Sequence, residues 1–186
     1  MSKTGKLVVV SGPSGVGKSS LLGEVRRRCE ADFSVSATTR RPRAGEVDGQ
    51  AYRFVNRATF EQMIADGELL EWAEVFDQYY GTPAGPVEQA VQKGRTILLD
   101  IDVQGGLQVY ERMPEATFVL VVPPSREELA RRLAGRGSEQ PEDLAKRLAK
   151  ADEEIAVARA SGAYKHEVVN DDLTIAADEM TAIVTS

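Results

Sequence analysis

The sequence predicts a three-layer α/β/α fold, a parallel sheet core with helices on both faces, and three observations predict it. Apolar runs of four to six residues alternate with longer helical stretches, the signature of successive strand–helix units. A glycine-rich loop, Gly12-Pro13-Ser14-Gly15-Val16-Gly17-Lys18-Ser19, stands between the first apolar run and the first helical stretch. The chain has 186 residues, 42% hydrophobic and 28% charged. That is enough to bury one core without disulfides or metals.

Taken in order, residues 7–10 (Leu-Val-Val-Val) read as a strand buried on both faces, and residues 19–30 as the helix after the loop. Residues 34–38 form a weaker strand candidate. From about 40 to 84 the alternation breaks into turns, aromatics and charges, as expected of an inserted α+β subdomain over the sheet edge. Within it, residues 59–66 are helix-like, with Thr59 three before Gln62, a capping-box spacing. Helices follow over 86–93 and 103–112, separated by a strand at 96–100. A strand at 117–122 ends at Pro123-Pro124, which cannot donate to a ladder. Ser125, three before Glu128, marks the start of a helix over 125–136. Residues 135–143 are polar and contain glycine, the composition of a mobile connection. Helices over 142–161 and 173–184 flank a weak strand at 167–169.

Charge and composition exclude several functions. Lys and Arg number 23 against 29 Asp and Glu, a net charge of −6, the wrong sign for non-specific nucleic-acid binding. The lone Cys29 permits no intrachain disulfide and no cysteine cluster, and the lone His166 no two-histidine metal site. No apolar run approaches a membrane span and no signal-type segment opens the chain, so a cytoplasmic location is expected. Cys29 and His166 read as inert, Trp72 as packing, and Arg26-Arg27-Arg28 as a solvated helix face.

The glycine-rich loop matches G-x-x-x-x-G-K-[ST] in the strand-to-helix context that motif requires. Its glycines let the backbone aim several N–H groups at one anion, and the helix beginning near Lys18 adds its positive dipole end. Lys18 can reach the β- and γ-phosphates of a nucleoside triphosphate, and Ser19 can offer its hydroxyl to Mg²⁺. The strand at 96–100 ends in Asp100, with Asp102 two residues on. Either could be a carboxylate near the metal. Either could instead cap the following helix.

Further motifs are more specific. Thr38-Thr39-Arg40-Arg41-Pro42-Arg43-Ala44-Gly45-Glu46, then Tyr52, Glu71-Trp72-Ala73 and Tyr79-Tyr80-Gly81-Thr82, closely resemble the guanylate kinase family. So do Leu99-Asp100-Ile101-Asp102 with Gln104-Gly105, Gly135-Arg136-Gly137 and Val169-Asn170-Asp171-Asp172. The resemblance runs from about residue 7 to 184. It implies a P-loop NTPase-type core over 1–36, 85–134 and 148–186, a GMP-binding insertion over about 37–84 and a mobile lid over about 135–147. It implies ATP-dependent phosphorylation of GMP, with Mg²⁺ accompanying ATP.

Carried onto this chain, the family's pattern makes Arg40 and Arg43 the clamp on the GMP phosphate, a job suited to guanidinium forks. Tyr52 and Tyr80 donate to the same oxygens. Glu71 accepts from guanine N1–H and the 2-amino group, a donor pair that adenine lacks. Ser36 and Thr82 help hold the guanine, Thr82 at O6, and Asp102 also contacts the base. Arg132, Arg136 and Arg147 are lid arginines, solvated when the enzyme is open. Asn170 stands near the adenine. Residues 83–86 (Pro-Ala-Gly-Pro) depart from the family's usually more polar pattern at the mouth of the GMP site. Rival readings are another monophosphate kinase and a phosphopeptide-binding scaffold domain of the same fold. Glu71 with Thr82 argues against the first. Lys18, Ser19, Asp100 and the lid arginines argue against the second.

Overall fold

The structure is a computed structural model and describes residues 5–135 and 141–186. In chain order the elements are β1 (Lys6–Ser11), α1 (Lys18–Arg28), β2 (Asp32–Phe33), β3 (Ala37–Thr38), β4 (Arg53–Phe54), α2 (Arg57–Ala65), β5 (Leu69–Val75), β6 (Gln78–Pro83), α3 (Ala84–Gln92), β7 (Thr96–Asp100), α4 (Val103–Arg112), β8 (Thr117–Val122), α5 (Arg126–Ala134), α6 (Pro141–Ala160), β9 (His166–Val169) and α7 (Leu173–Thr185). Five strands form one sheet in the order β2-β7-β1-β8-β9, every neighbouring pair parallel. This is the predicted α/β core.

The apolar runs explain the layers. Along β1, Val8 and Val10 enter the core shared with α1 and α7, while Leu7 and Val9 enter the one shared with α3 and α4. Side chains alternate faces along a strand, so only a continuous apolar run serves both layers. β7 repeats the device: Leu98 faces one layer, Ile97 and Leu99 the other.

The second sheet, in the order β4-β3-β6-β5, mixes parallel and antiparallel pairs and is backed by α2. Its core is small: Ala37, Phe60, Met63, Leu69 and Tyr79, with Phe60 and Tyr79 stacked at 5.2 Å between centroids.

Three local expectations change. Of the candidate strand at 34–38 only Ala37–Thr38 is strand, in the second sheet, and the five-stranded sheet takes Asp32–Phe33 instead. β2 pairs with β7, the Ser34 N–H donates to Leu98 O, and the chain then leaves the core to form β3. The polar alternation Ser34-Val35-Ser36 suits a crossing segment better than a buried strand. α2 starts before Thr59: Asn56 is its cap, accepting from the Thr59 N–H, and Gln62 donates instead to Asp66. Ser125 does cap α5, accepting from the Glu128 N–H at 3.1 Å. The Glu128 carboxylate, however, goes to Arg131 and Arg132. α5 ends at Ala134, so Arg136 and most of the expected connection lie outside the described residues.

Candidate active site

Two cavities open where β1 and β7 end, while a larger one, of 650 Å³, lies where those strands begin, beside Lys6, Asp32 and Thr96. The first, of 370 Å³, is floored by the loop from Gly12 to Ser20, with Asp100, Asp102, Lys150 and Glu154 completing its wall. Gly17, in the capping position before α1, has positive φ and supplies no side-chain cap. The unpaired N–H groups of the helix's first turn are therefore left to whatever enters the cavity. Gly12 is obligatory on a second ground: a Cβ there would stand 2.2 Å from Val121 O.

Lys18 Nζ donates to Gly12 O at 2.6 Å and lies 3.9 Å from Asp100. Burial pushes the Asp100 carboxyl up, and Lys18 and the Ser19 hydroxyl pull it back. Asp102 answers the question the sequence left open. It caps α4, its carboxylate accepting from the Gly105 N–H at 2.7 Å, while it also lines both cavities.

The loop is braced from behind. Val16 is fully buried in the core, so only its backbone serves the loop. Its carbonyl accepts from Asn170 Nδ2 at 2.9 Å and from Arg132 at 3.3 Å, and Arg132 also donates to Asn170 O at 2.8 Å. Two of the expected site residues make these braces. Asn170, expected near an adenine, is 6% exposed and its amide is committed to the loop. Arg132, expected to be solvated in the open enzyme, is part-buried here and held between Glu128, Val16 and Asn170. Arg147 reaches from α6 to Ser14 Oγ at 3.0 Å.

The second cavity, of 280 Å³, is lined by Ser36, Tyr52, Glu71, Ala73, Val75, Tyr80 and Gly81, and it shares Asp100 and Asp102 with the first. β5 and β6 build it. Glu71, Ala73 and Val75 alternate onto one face, opposite Thr82, Tyr80 and Gln78. The β5–β6 register shifts between Leu69 and Glu71. This bulge lets consecutive residues serve different ends. Leu69 enters the small core, Leu70 enters the core beneath β1 and β7, and Glu71 faces the cavity.

Glu71 is 7% exposed, and burial pushes its carboxyl up to about 7. The Thr82 hydroxyl donates to Glu71 Oε1 at 2.6 Å. Thr82, expected to help hold the guanine, is fully buried directly behind this carboxylate.

At the rim, Arg40 makes a bidentate pair with Glu46, at 2.8 and 3.0 Å, and lies over the Tyr52 and Phe54 rings. The Glu46 carboxyl is held low by Arg40 first and by the Arg43 N–H second. Burial pushes the Tyr52 hydroxyl up, and its ring meets Tyr80 edge-on at 6.0 Å. Of the expected phosphate clamp, Tyr52 and Tyr80 line the second cavity, Arg40 lies over the Tyr52 ring, and Arg43 is exposed, its backbone N–H donating to Glu46.

Several contributors escaped the sequence. Glu46 stood inside a quoted motif without a role. Tyr164 Oη donates to Ser11 Oγ at 2.8 Å, and Ser11 Oγ to Asp102 O at 3.2 Å, anchoring the start of α4. Burial pushes Tyr164 up to about 12, so it remains a donor. Gly106 makes room for that hydroxyl. Contacts between residues so far apart in sequence leave no local signal.

Residues 4–186 match the family model for guanylate kinase. A guanylate kinase from Nocardia farcinica is 48% identical, covering 100% of this chain and 96% of its own. One from Gloeobacter violaceus is 49% identical over 96% of this chain and 86% of its own. Among solved structures, a guanylate kinase from Anaplasma phagocytophilum superposes with a TM-score of 0.74 at 36% identity, covering 98% of this chain and 86% of that one. A gluconokinase from Sinorhizobium meliloti, with a TM-score of 0.52 at 18% identity over 100% of this chain and 94% of that one, shares the fold alone. A match from end to end, with relatives near half identity, places the chain in the guanylate kinase family.

Proposed function

We infer that the chain transfers the γ-phosphoryl group of ATP to GMP, giving ADP and GDP. The observation that carries this reading is the meeting of two cavities at Asp100 and Asp102. One presents backbone N–H groups and Lys18 to a triphosphate. The other presents a buried carboxylate to a base.

The chemistry asks little of the protein beyond alignment and charge neutralisation. A GMP phosphate oxygen, already ionised near neutral pH, attacks the γ-phosphorus in line, so no general base is needed. In the proposed arrangement Arg40 and Arg43 hold the GMP phosphate with Tyr52 and Tyr80, with Ser36 beside the base. Glu46 keeps the Arg40 guanidinium oriented. Glu71 accepts from guanine N1–H and the 2-amino group, and Thr82 orients Glu71. Lys18 follows charge on the β- and γ-phosphates, joined by Arg147 and by Arg136, which lies outside the described residues. Arg132 and Asn170 hold the loop in shape.

The half-buried Asp100 carboxylate beside the Ser19 hydroxyl fits Mg²⁺, an ion that favours oxygen ligands and few protein groups. Bound with ATP, it supplies charge neutralisation on the phosphates. The proposal places the enzyme in the cytoplasm, where a lone thiol such as Cys29 stays reduced, with small-molecule substrates and no nucleic acid.

Turnover with GMP, AMP, dTMP and CMP at saturating Mg-ATP tests the reading. GMP should exceed AMP in kcat/KM by about 10⁴-fold, as expected where a buried carboxylate is left unpaired by the wrong base. Equal turnover of AMP and GMP would overturn it.

A further inference from the structure

β5 is an edge strand of the second sheet, so its outer backbone has no neighbouring strand. Its inner ladder is interrupted by the bulge next to Glu71. Thr82 and the β6 pairing hold Glu71 from the inner side; the outer side is open to a further hold against a one-residue slip, which would turn Glu71 to the opposite face.

α4 lies along this open edge. Gly105, Gln108 and Arg112 are spaced three and four residues apart and so share one helix face. Each meets β5 or the turn before it. Gly105 approaches the Glu71 carboxylate so closely that a Cβ there would stand 3.0 Å from Oε2. Arg112 reaches Gly67 O at 3.4 Å. Between them, Gln108 contacts the backbone of Trp72, the residue after Glu71. Its Oε1 accepts from the Trp72 N–H at 3.2 Å, and its Nε2 donates to Trp72 O at 3.1 Å.

We propose that Gln108 is a positioning residue for base recognition: its side-chain amide pairs with the Trp72 peptide as a neighbouring strand would, and with Gly105 it sets where the Glu71 carboxylate stands. The amide offers one donor and one acceptor in one plane, the set a strand residue presents to its partner. The same helix begins at Asp102, which lines both cavities. The clasp therefore references the base-reading strand to the element that borders the triphosphate. This inference rests on Glu71 reading the base.

The test is initial-rate kinetics, varying GMP and ATP separately, on Gln108→Leu, Gln108→Ala and Gly105→Ala, with Glu71→Gln alongside and thermal melts for each. Gln108→Leu keeps the packing volume and removes both hydrogen bonds. Gly105→Ala displaces Glu71 with Gln108 intact. All three should raise the GMP KM about fivefold or more, with kcat and ATP KM within about twofold, because binding common to ground and transition states is what is lost. An unchanged GMP KM in the Gln108 variants beside a raised one in Glu71→Gln would sink the clasp and leave the base reading intact. An unchanged GMP KM in Glu71→Gln as well would sink the base reading itself. Parallel losses in kcat, both KM values and melting temperature would mean a merely structural residue and would overturn the proposal.

Discussion

Burial pushes the Glu71 carboxyl up to about 7 against an ordinary value of 4.5, and the Thr82 hydroxyl offsets only part of this. A group whose folded pKa lies above its unfolded one stabilises the fold fully below the unfolded value and loses that contribution as pH rises through the folded value. Glu71 therefore costs stability as pH rises from about 4.5 to above 7, up to roughly 3 kcal/mol if the whole shift is expressed. Glu71→Gln should accordingly melt several degrees higher than wild type at pH 8 and near it at pH 4.5, while binding GMP more weakly. Melts at the two pH values decide this, and no gain at pH 8 would contradict it. Guanine's two N–H donors favour the ionised form, so GMP binding near pH 7 should release a proton, measurable by titration calorimetry in buffers of different ionisation enthalpy. Lys18 makes the complementary case. It serves only the first cavity, so Lys18→Met should lower kcat by about 10²–10³-fold with the GMP KM within about twofold. A large rise in GMP KM would mean the two sites are misassigned. The residues behind these predictions were legible because their chemistry sits in contiguous motifs. The work of Thr82 and Asn170 was not, because each hydroxyl or amide is committed to a partner distant in sequence.

Elements differ in how openly the chain announces them. β1, β7 and β8 are continuous apolar runs because each feeds two helical layers, and the sequence states them directly. The β5–β6 hairpin was invisible as such. Its strands carry Glu71, Trp72 and Glu74 beside Leu69 and Leu70, without clean alternation, because the bulge sends neighbouring side chains to different cores. Its turn also lacks the usual signal. Only Phe76 and Asp77 join the strands, and both have positive φ, 49° and 60°, the conformation of a type I′ turn that favours Asn-Gly. Phe76 is 95% exposed, so its ring returns little burial for the strain. Replacing Phe76-Asp77 with Asn-Gly should stabilise the protein by about 1–2 kcal/mol. Denaturant unfolding checks this, and a loss of stability would show that Phe76 does more for the hairpin than its exposure indicates.

At the scale of the molecule, the two cavities are built on two sheets with separate cores. The chain passes between the two sheets at residues 34–36 and again where β6 runs into α3. The α4–β5 face adds a side contact, but the small core around Phe60 is separate from those of the five-stranded sheet. The sequence conveyed this division as a break in its α/β rhythm. It could not convey which contacts span the break, since these are tertiary. Phosphoryl transfer requires two anions to be held within reach of each other while water is excluded, and the protein itself carries a net charge of −6. In the proposed arrangement the favourable electrostatics come from a few arginines and Lys18, with Arg40 and Arg43 serving GMP and Lys18 serving ATP. Small-angle scattering should then show a smaller radius of gyration with GMP and a non-hydrolysable ATP analogue together than with either alone. An equal radius in all states would mean the cavities are already juxtaposed, with alignment arising without domain closure.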